Sequence, residues 1–171
     1  MRFVVERDAL SDGVAWVSRS LSSRPIMPVL LGVVIDAQKN GVHLSGYDLE
    51  TSAKATINAD VKEEGRVLVS GRLLSDIAKS LPNKPVTISL DGNRVSVVSG
   101  SAKFALPTLP VTDYPTLPEL PSETGRLTGE VFAQAVHQVA IAAGKDDSLP
   151  VLTGVHVEIE ENKLTLAATD R

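Results

Sequence analysis

Few side chains in this sequence could carry out catalysis. There is no cysteine, so thiolate nucleophiles, disulfide frameworks and cysteine-based metal centres are excluded. No glycine-rich loop opens a helix in a dinucleotide or P-loop arrangement, and no serine sits in a nucleophile elbow. The three histidines, His43, His137 and His156, lack metal-ligand spacing, so no metal site or cofactor is expected. Asp48 and Asp170 are a pair of carboxylates in equivalent settings, but each closes a strand at a turn, where aspartate caps backbone N–H groups. The basic residues are more informative. Arg72 and Lys79 share a helix face with Asp76, Arg24 and Lys84 lie in loops where helices end, and Lys145 follows a third helix. Cations so placed can hold phosphates without reading bases. The rival reading is an ordinary solvated face, which Asp12 and Asp76 favour.

The elements that position these residues are written twice. Pro150-Val151-Leu152-Thr153-Gly154-Val155 restates Pro28-Val29-Leu30-Leu31-Gly32-Val33 at a distance of 122 positions. At that offset 8 of the 21 positions from 28 to 48 are identical, where average composition gives about one or two. Leu10, Val14 and Val17 pair with Phe132, Val136 and Val139, so the preceding helix is copied too. The 171 residues hold one whole unit and the opening 49 positions of a second.

Within the first unit, Arg2–Glu6 reads as a strand and Asp8 as the N-cap of a helix to about Leu21, with Leu10, Val14, Val17 and Leu21 in one apolar stripe. Trp16 beside that stripe reads as packing. Strands follow at about Val29–Gln38 and Val42–Asp48, joined by a Lys39-Asn40-Gly41 hairpin, then at Thr51–Ala59. The pattern restarts with a strand at Gly65–Val69 and a helix at Arg72–Leu81 whose inward residues are Leu73, Leu74, Ile77 and Leu81. Leu74-Ser75-Asp76 echoes Leu10-Ser11-Asp12. Strands at Val86–Leu90, Arg94–Val98 and Ala102–Leu106 complete an α+β unit of two βαβββ halves. Prolines at 107, 110, 115, 118 and 121 make Leu106–Pro121 a stiff connector rather than helix or central strand. A proline-motif ligand is the other reading of that run. A strand at Gly125–Leu127 and a helix from about Thr128 to Ala143 open the second unit.

The net charge of −4 argues against a surface that grips nucleic acid all over, though not against one basic face. The longest apolar runs fall well short of the roughly 20 residues that cross a bilayer. Met1–Glu6 lacks the apolar segment of a signal peptide, so a cytoplasmic protein with no membrane contact is expected.

Five stretches carry a family likeness, in order: Met1-Arg2-Phe3-Val4-Val5-Glu6-Arg7, Arg24-Pro25-Ile26-Met27-Pro28-Val29-Leu30, Gly46-Tyr47-Asp48-Leu49-Glu50, Leu106-Pro107 through Asp113-Tyr114-Pro115, and Ala168-Thr169-Asp170. With the internal repeat they resemble the bacterial DNA polymerase III β subunit, the replication sliding clamp. The resemblance implies the DNA clamp fold, with helices on one face of antiparallel sheets. It implies three such domains in tandem and two subunits closing head to tail around duplex DNA. Residues 1–121 would then be the first domain with its proline-rich connector, residues 122–171 a partial second domain, and the third domain would be absent.

The function implied is that of a non-catalytic processivity factor. Its partners would be double-stranded DNA, the DNA polymerase III catalytic subunit, the clamp loader and other proteins bearing clamp-binding motifs, with a homodimer at full length. By the same resemblance Arg24 matches a DNA-contacting arginine and Arg72 the base of the second inward helix; Lys79 and Lys145 are further candidate DNA contacts from the charge pattern alone. Lys145-Asp146-Asp147 departs from the family by placing acids there. Leu152, Thr169 and Arg171 match one wall of a peptide-binding pocket whose other walls lie outside this sequence, so peptides should bind these residues poorly. Lys103, Phe104 and Leu106, on the strand Ser101–Leu106, match a subunit interface, where an ordinary edge strand guarded by lysine is the alternative. A repeat scaffold that binds peptides without encircling DNA is the competing function. Val151, Val155, Val157, Leu164 and Leu166 are expected to lack cover.

Overall fold

The computed structural model describes residues 1–171 apart from Ser23, Leu120 and Thr124. It divides into two compact units, Met1–Glu119 and Leu120–Arg171.

In the first unit, β1 (Arg2–Val5) leads into α1 (Arg7–Ser18). The helix starts ahead of the expected Asp8 cap. Glu6 takes the extended cap position without a side-chain bond, and Asp8 falls in the first turn, where its charge suits the helix dipole. Leu10, Gly13, Val14 and Val17 are buried. Gly13 lets the helix approach the sheet, since a Cβ there would lie 3.0 Å from Ile57 and 3.1 Å from Leu44. The helix stops at Ser18, three residues before the expected end, yet Leu21 still packs against the core from a following turn.

Residues 29–31, expected to open a strand, instead form a 3-10 turn with Pro28. Proline cannot donate to a ladder, and the chain bends at Gly32 before entering β2 (Gly32–Gln38). The hairpin at Lys39-Asn40-Gly41 then leads to β3 (Gly41–Tyr47), with Gly41 at φ 134°. Asp48 caps the turn that ends β3, its Oδ1 accepting the N–H groups of Glu50 at 3.0 Å and Thr51 at 2.7 Å.

The expected single strand over Thr51–Ala59 is β4 (Ser52–Ile57), and a further strand, β5 (Ala59–Glu63), follows across Asn58. The alternation of Ala59 and Val61 with Asp60 and Lys62 carried that strand's signature. The remaining elements are β6 (Gly65–Ser70), α2 (Gly71–Ser80), β7 (Val86–Asp91), β8 (Arg94–Ser99) and β9 (Ala102–Leu109). The nine strands run β4-β3-β2-β6-β9-β8-β7-β1-β5, every pair antiparallel.

This order interlocks the halves. β1, from the first half, pairs with β7 of the second, and β6, from the second, pairs with β2 of the first. β9 joins the two arrays: its residues 102–107 pair with β8, and Thr108 and Leu109 pair with β6. The strand therefore runs through Pro107, which the proline spacing assigned to the connector. α1 and α2 pack against each other over the main core, which includes Phe3, Ile35, Leu44, Leu74, Ile88 and Leu106.

The proline-rich run is also not a free connector along its whole length. A 3-10 turn at Val111–Asp113 brings Tyr114 down onto a second core cluster with Leu30, Val34 and Leu68, joined by Val111 and Leu117. The Tyr114 hydroxyl donates to the Gly32 carbonyl at a long 3.5 Å.

In the second unit α3 spans Gly129–Ala140, the bounds of α1 displaced by 122, and Pro150–Thr153 repeats the 3-10 turn. β10 (His156–Glu160) and β11 (Lys163–Ala167) form the hairpin. The expected strand at Gly125–Leu127 does not form. Its counterpart β1 is held between β5 and β7, and neither of those has a copy within residues 122–171.

Gly32 has an ordinary φ of −88°, so its tolerance is set by space alone. A Cβ there would sit 2.4 Å from a Leu68 methyl and 2.9 Å from the Val29 carbonyl oxygen. Gly32→Ala is expected to destabilise the first unit by about 1–3 kcal/mol, read as a lower urea midpoint. Gly92→Asn, at φ 57° with nothing within 4 Å, should move that midpoint little.

Burial pushes the Tyr114 phenol above its usual pKa of 10.0; the nearby Asp48 charge adds to this and a backbone hydrogen bond opposes it. Above about pH 10 the unfolded chain releases that proton while the folded chain keeps it. The stabilisation is thus complete below pH ~10 and is lost as pH rises through the folded value. Tyr114→Phe should unfold like the wild type at pH 7, within about 1 kcal/mol, and lose less stability between pH 9 and 11. Parallel losses in the two proteins would contradict the assignment.

Candidate nucleic-acid interface

The exposed face of α2 carries Arg72, Asp76 and Lys79. The helix is fixed by Ser70, whose Oγ accepts the Leu73 N–H at 3.4 Å, and by burial of Leu74 and Ala78 with Ile77 half-buried. Leu73, expected to point inward, is 48% exposed, because Gly71, Leu74 and Ala78 form the buried stripe. Gly71 seats the start of α2 beside the end of α1: a Cβ on it would lie 2.4 Å from Leu21 and 2.9 Å from Val33. Arg72 is therefore brought to the corner where α1 ends. Arg24, also exposed, lies in the loop beyond, its N–H donating to Ser22 Oγ at 3.2 Å.

The exposed line of α1 reads Asp8, Asp12 and Trp16, followed by Arg19 just past the helix end. Trp16, expected to pack, is 55% exposed, with the Arg19 guanidinium 5.8 Å from its ring centre. Asp8 is engaged by Arg7 at 3.0 Å. Among the described residues, Arg19, Arg24, Arg72, Lys79 and Lys145 make no ion pair, so their charges are available to an external anion.

Lys145 belongs to the second unit, in the exposed segment after α3. Beside it Asp146 accepts the Ser148 N–H at 3.0 Å, and hydrogen bonding from Ser148 lowers its pKa. That carboxylate stays ionised and opposes phosphate at this place.

The second unit also holds a groove of about 470 Å³, lined by Val151, Leu152, Gly154, Val155, His156, Ala167, Ala168 and Thr169. Leu152 and Thr169 both line it. Arg171 is not in the lining; its N–H donates to Thr169 Oγ1 at 3.3 Å. His156 joins the wall as well, which the absence of metal-ligand spacing among the histidines did not foresee. The repeat register could have found it, because position 156 corresponds to Val34, a residue of the second core cluster. The equivalent groove in the first unit is occupied: Val29, Leu30, Val34 and Tyr47 there pack with Tyr114, Leu117 and Val111.

On β9, Lys103 is exposed and Phe104 half-buried. Leu106 is only 1% exposed and fills the core, so its side chain cannot serve a surface contact as the interface reading supposed. Residues 102–107 are paired on one side only, with β8, which leaves a backbone edge open among the described residues.

Among the described residues no group of three or more His, Asp or Glu could hold a metal ion, and no helix is long and apolar enough to cross a membrane.

Residues 1–118 match the family model for the DNA polymerase III beta subunit, N-terminal domain, and residues 126–171 that for the central domain. The chain is 57% identical over 171 residues to the beta sliding clamp of Streptomyces coelicolor, covering all of this chain and 46% of that protein. It is 55% identical to that of Micrococcus luteus, again over the whole chain and 55% of the relative. The crystal structure of the DNA polymerase sliding clamp from Bacillus subtilis superposes with a TM-score of 0.88 at 28% identity, covering 99% of this chain and 47% of that one. The chain thus spans about half the length of the curated relatives it matches. With that fold and both domain matches, the chain belongs to the DNA polymerase III beta subunit family.

Proposed function

We propose that this chain serves as part of a ring-shaped sliding clamp, a non-catalytic processivity factor that encircles duplex DNA and tethers the replicative polymerase in the cytoplasm. The observation that carries this reading is the 57% identity to a beta sliding clamp along all 171 residues. The geometry agrees with it. Arg24, Arg72 and Lys79 are exposed and, among the described residues, without ion pairs, and the helix face around them mixes acids with bases. Such a face holds phosphates loosely and without sequence preference, which permits sliding.

The groove around Leu152 and Thr169 is the place for extended apolar peptides from the polymerase catalytic subunit, the clamp loader and other clamp-binding proteins. The occupied equivalent in the first unit supports this, since there an extended proline-rich segment inserts Tyr114 and Leu117 into the same framework. The open backbone edge of β9, with Lys103 and Phe104 beside it, is the place for a second subunit. The competing reading is a scaffold that uses the same groove and ignores DNA.

Arg24→Ala/Arg72→Ala is expected to weaken duplex binding about equally for unrelated sequences. It should also flatten the plot of log K against log salt by roughly 0.9 for each phosphate no longer neutralised. Fluorescence anisotropy of a labelled duplex between low and moderate salt measures both. An unchanged slope would favour the scaffold. For the assembled protein, retention on closed circular DNA with release on linearisation tests encirclement itself.

A further inference from the structure

We propose that Trp16 and Arg19 form an additional contact to the DNA sugar-phosphate backbone, the indole N–H and the Arg19 guanidinium sharing a phosphate while the free indole face lies on deoxyribose. The inference rests on the DNA-encircling reading and adds a site to it.

Three observations carry it. Trp16 contributes little to the core, being 55% exposed where its helix neighbours Val14 and Val17 are fully buried. Arg19 lies over one face of the ring and has no carboxylate partner among the described residues, so the guanidinium is oriented by the cation–π contact and its N–H fork remains open. Gly71 packs against Leu21, which places Arg72 at this same corner, and Arg24 follows in the adjoining loop.

The exposed line of α1 is also polarised. Asp8 and Asp12 occupy its N-terminal half, and the sequence turns to Trp16 and then Arg19 only at the end beside α2. A solubilising face has no need of an indole at that boundary. A backbone-binding corner uses it twice, since the N–H donates only and so suits a phosphate oxygen, and the apolar ring suits a sugar. With Arg19 over one face, the ring has a single face left for a ligand.

Trp16 is the sole tryptophan of the chain, so its emission reports this contact directly. The test titrates a blunt 20-base-pair duplex, labelled for anisotropy, while tryptophan emission is followed in parallel, with a single-stranded oligonucleotide as the second arm. Emission should change with the same midpoint as anisotropy and return when salt is added. Trp16→Ala, which loses both the hydrogen bond to a charged group and the ring's contact with the sugar, should weaken duplex binding by at least about tenfold. Trp16→Phe, which keeps the ring and loses the N–H, should fall between.

Rising anisotropy with unchanged emission, and equal affinity for Trp16→Ala, would overturn the proposal and leave the DNA reading intact. Emission that responds only to the single strand would overturn it in favour of base stacking. No anisotropy change with either DNA would overturn this contact, while the encircling reading would still be decided by retention on closed circular DNA.

Discussion

A helix stripe made of Leu10, Val14 and Val17 must be covered on more sides than one βαβββ half can supply. In the first unit α1 is packed by β3, β4 and α2, and all three residues are fully buried. In the second, α3 has the same bounds and the equivalent stripe, but its strand contact is β11, the counterpart of β3, and Phe132 stays 43% exposed. Each fully buried Val or Leu contributes about 1.5–3 kcal/mol. The stability of a unit is therefore set by whether both halves interlock. The exchange of β1 and β6 between the two strand arrays is the device that interlocks them. Gly13 is where α1 meets the sheet, and Gly71 is where the start of α2 meets β2 and the turn after α1, closely enough to close the core.

Much of this was legible because the repeat constrains the elements twice. The start of α1 recurs 64 positions on in α2, and both bounds of α1 recur 122 positions on in α3. What escaped the sequence was where tertiary pairing overrides local signals. β5 is separated from β4 by Asn58 alone, and nothing local says that the two strands belong to opposite ends of the order. Proline spacing suggested a connector from Leu106 onward, yet β9 continues through Pro107 because β6 takes up Thr108 and Leu109. The strand at Gly125–Leu127 was expected from its copy β1, whose pairing depends on β5 and β7, distant in sequence.

The candidate sites divide in the same way. Arg24, Arg72 and Lys79 were readable as exposed cations from helix phase and loop position, and the structure gives them no ion-pair partner among the described residues. Trp16 departs from its expected packing role because a position next to an apolar stripe sits on the margin between core and solvent, and one step of helix phase decides the outcome. Leu106 departs from its expected interface role for the related reason in a strand, where alternate residues face opposite sides: Lys103 and Ala105 point out while Leu106 points in. Residue type and position fix what a side chain can do, and the phase of its element decides whether it meets a partner or the core.

The two grooves show how one framework serves two ends. The 3-10 turn and following strand recur in both units, so Leu30 and Leu152 hold equivalent places. In the first unit the chain returns through Val111–Leu117 and lays Tyr114 against Leu30 and Val34, leaving Tyr114 only 8% exposed. The prolines suit that segment to its role, because they hold it extended without demanding a ladder partner, so little conformational freedom is given up when Tyr114 and Leu117 dock. In the second unit the same framework stands open beside Leu152, with a small residue, Ala168, and a polar one, His156, in its wall. A surface already shaped to receive an extended apolar segment needs no new fold to bind one from another molecule, and the polar groups in its wall are what would set the choice of ligand.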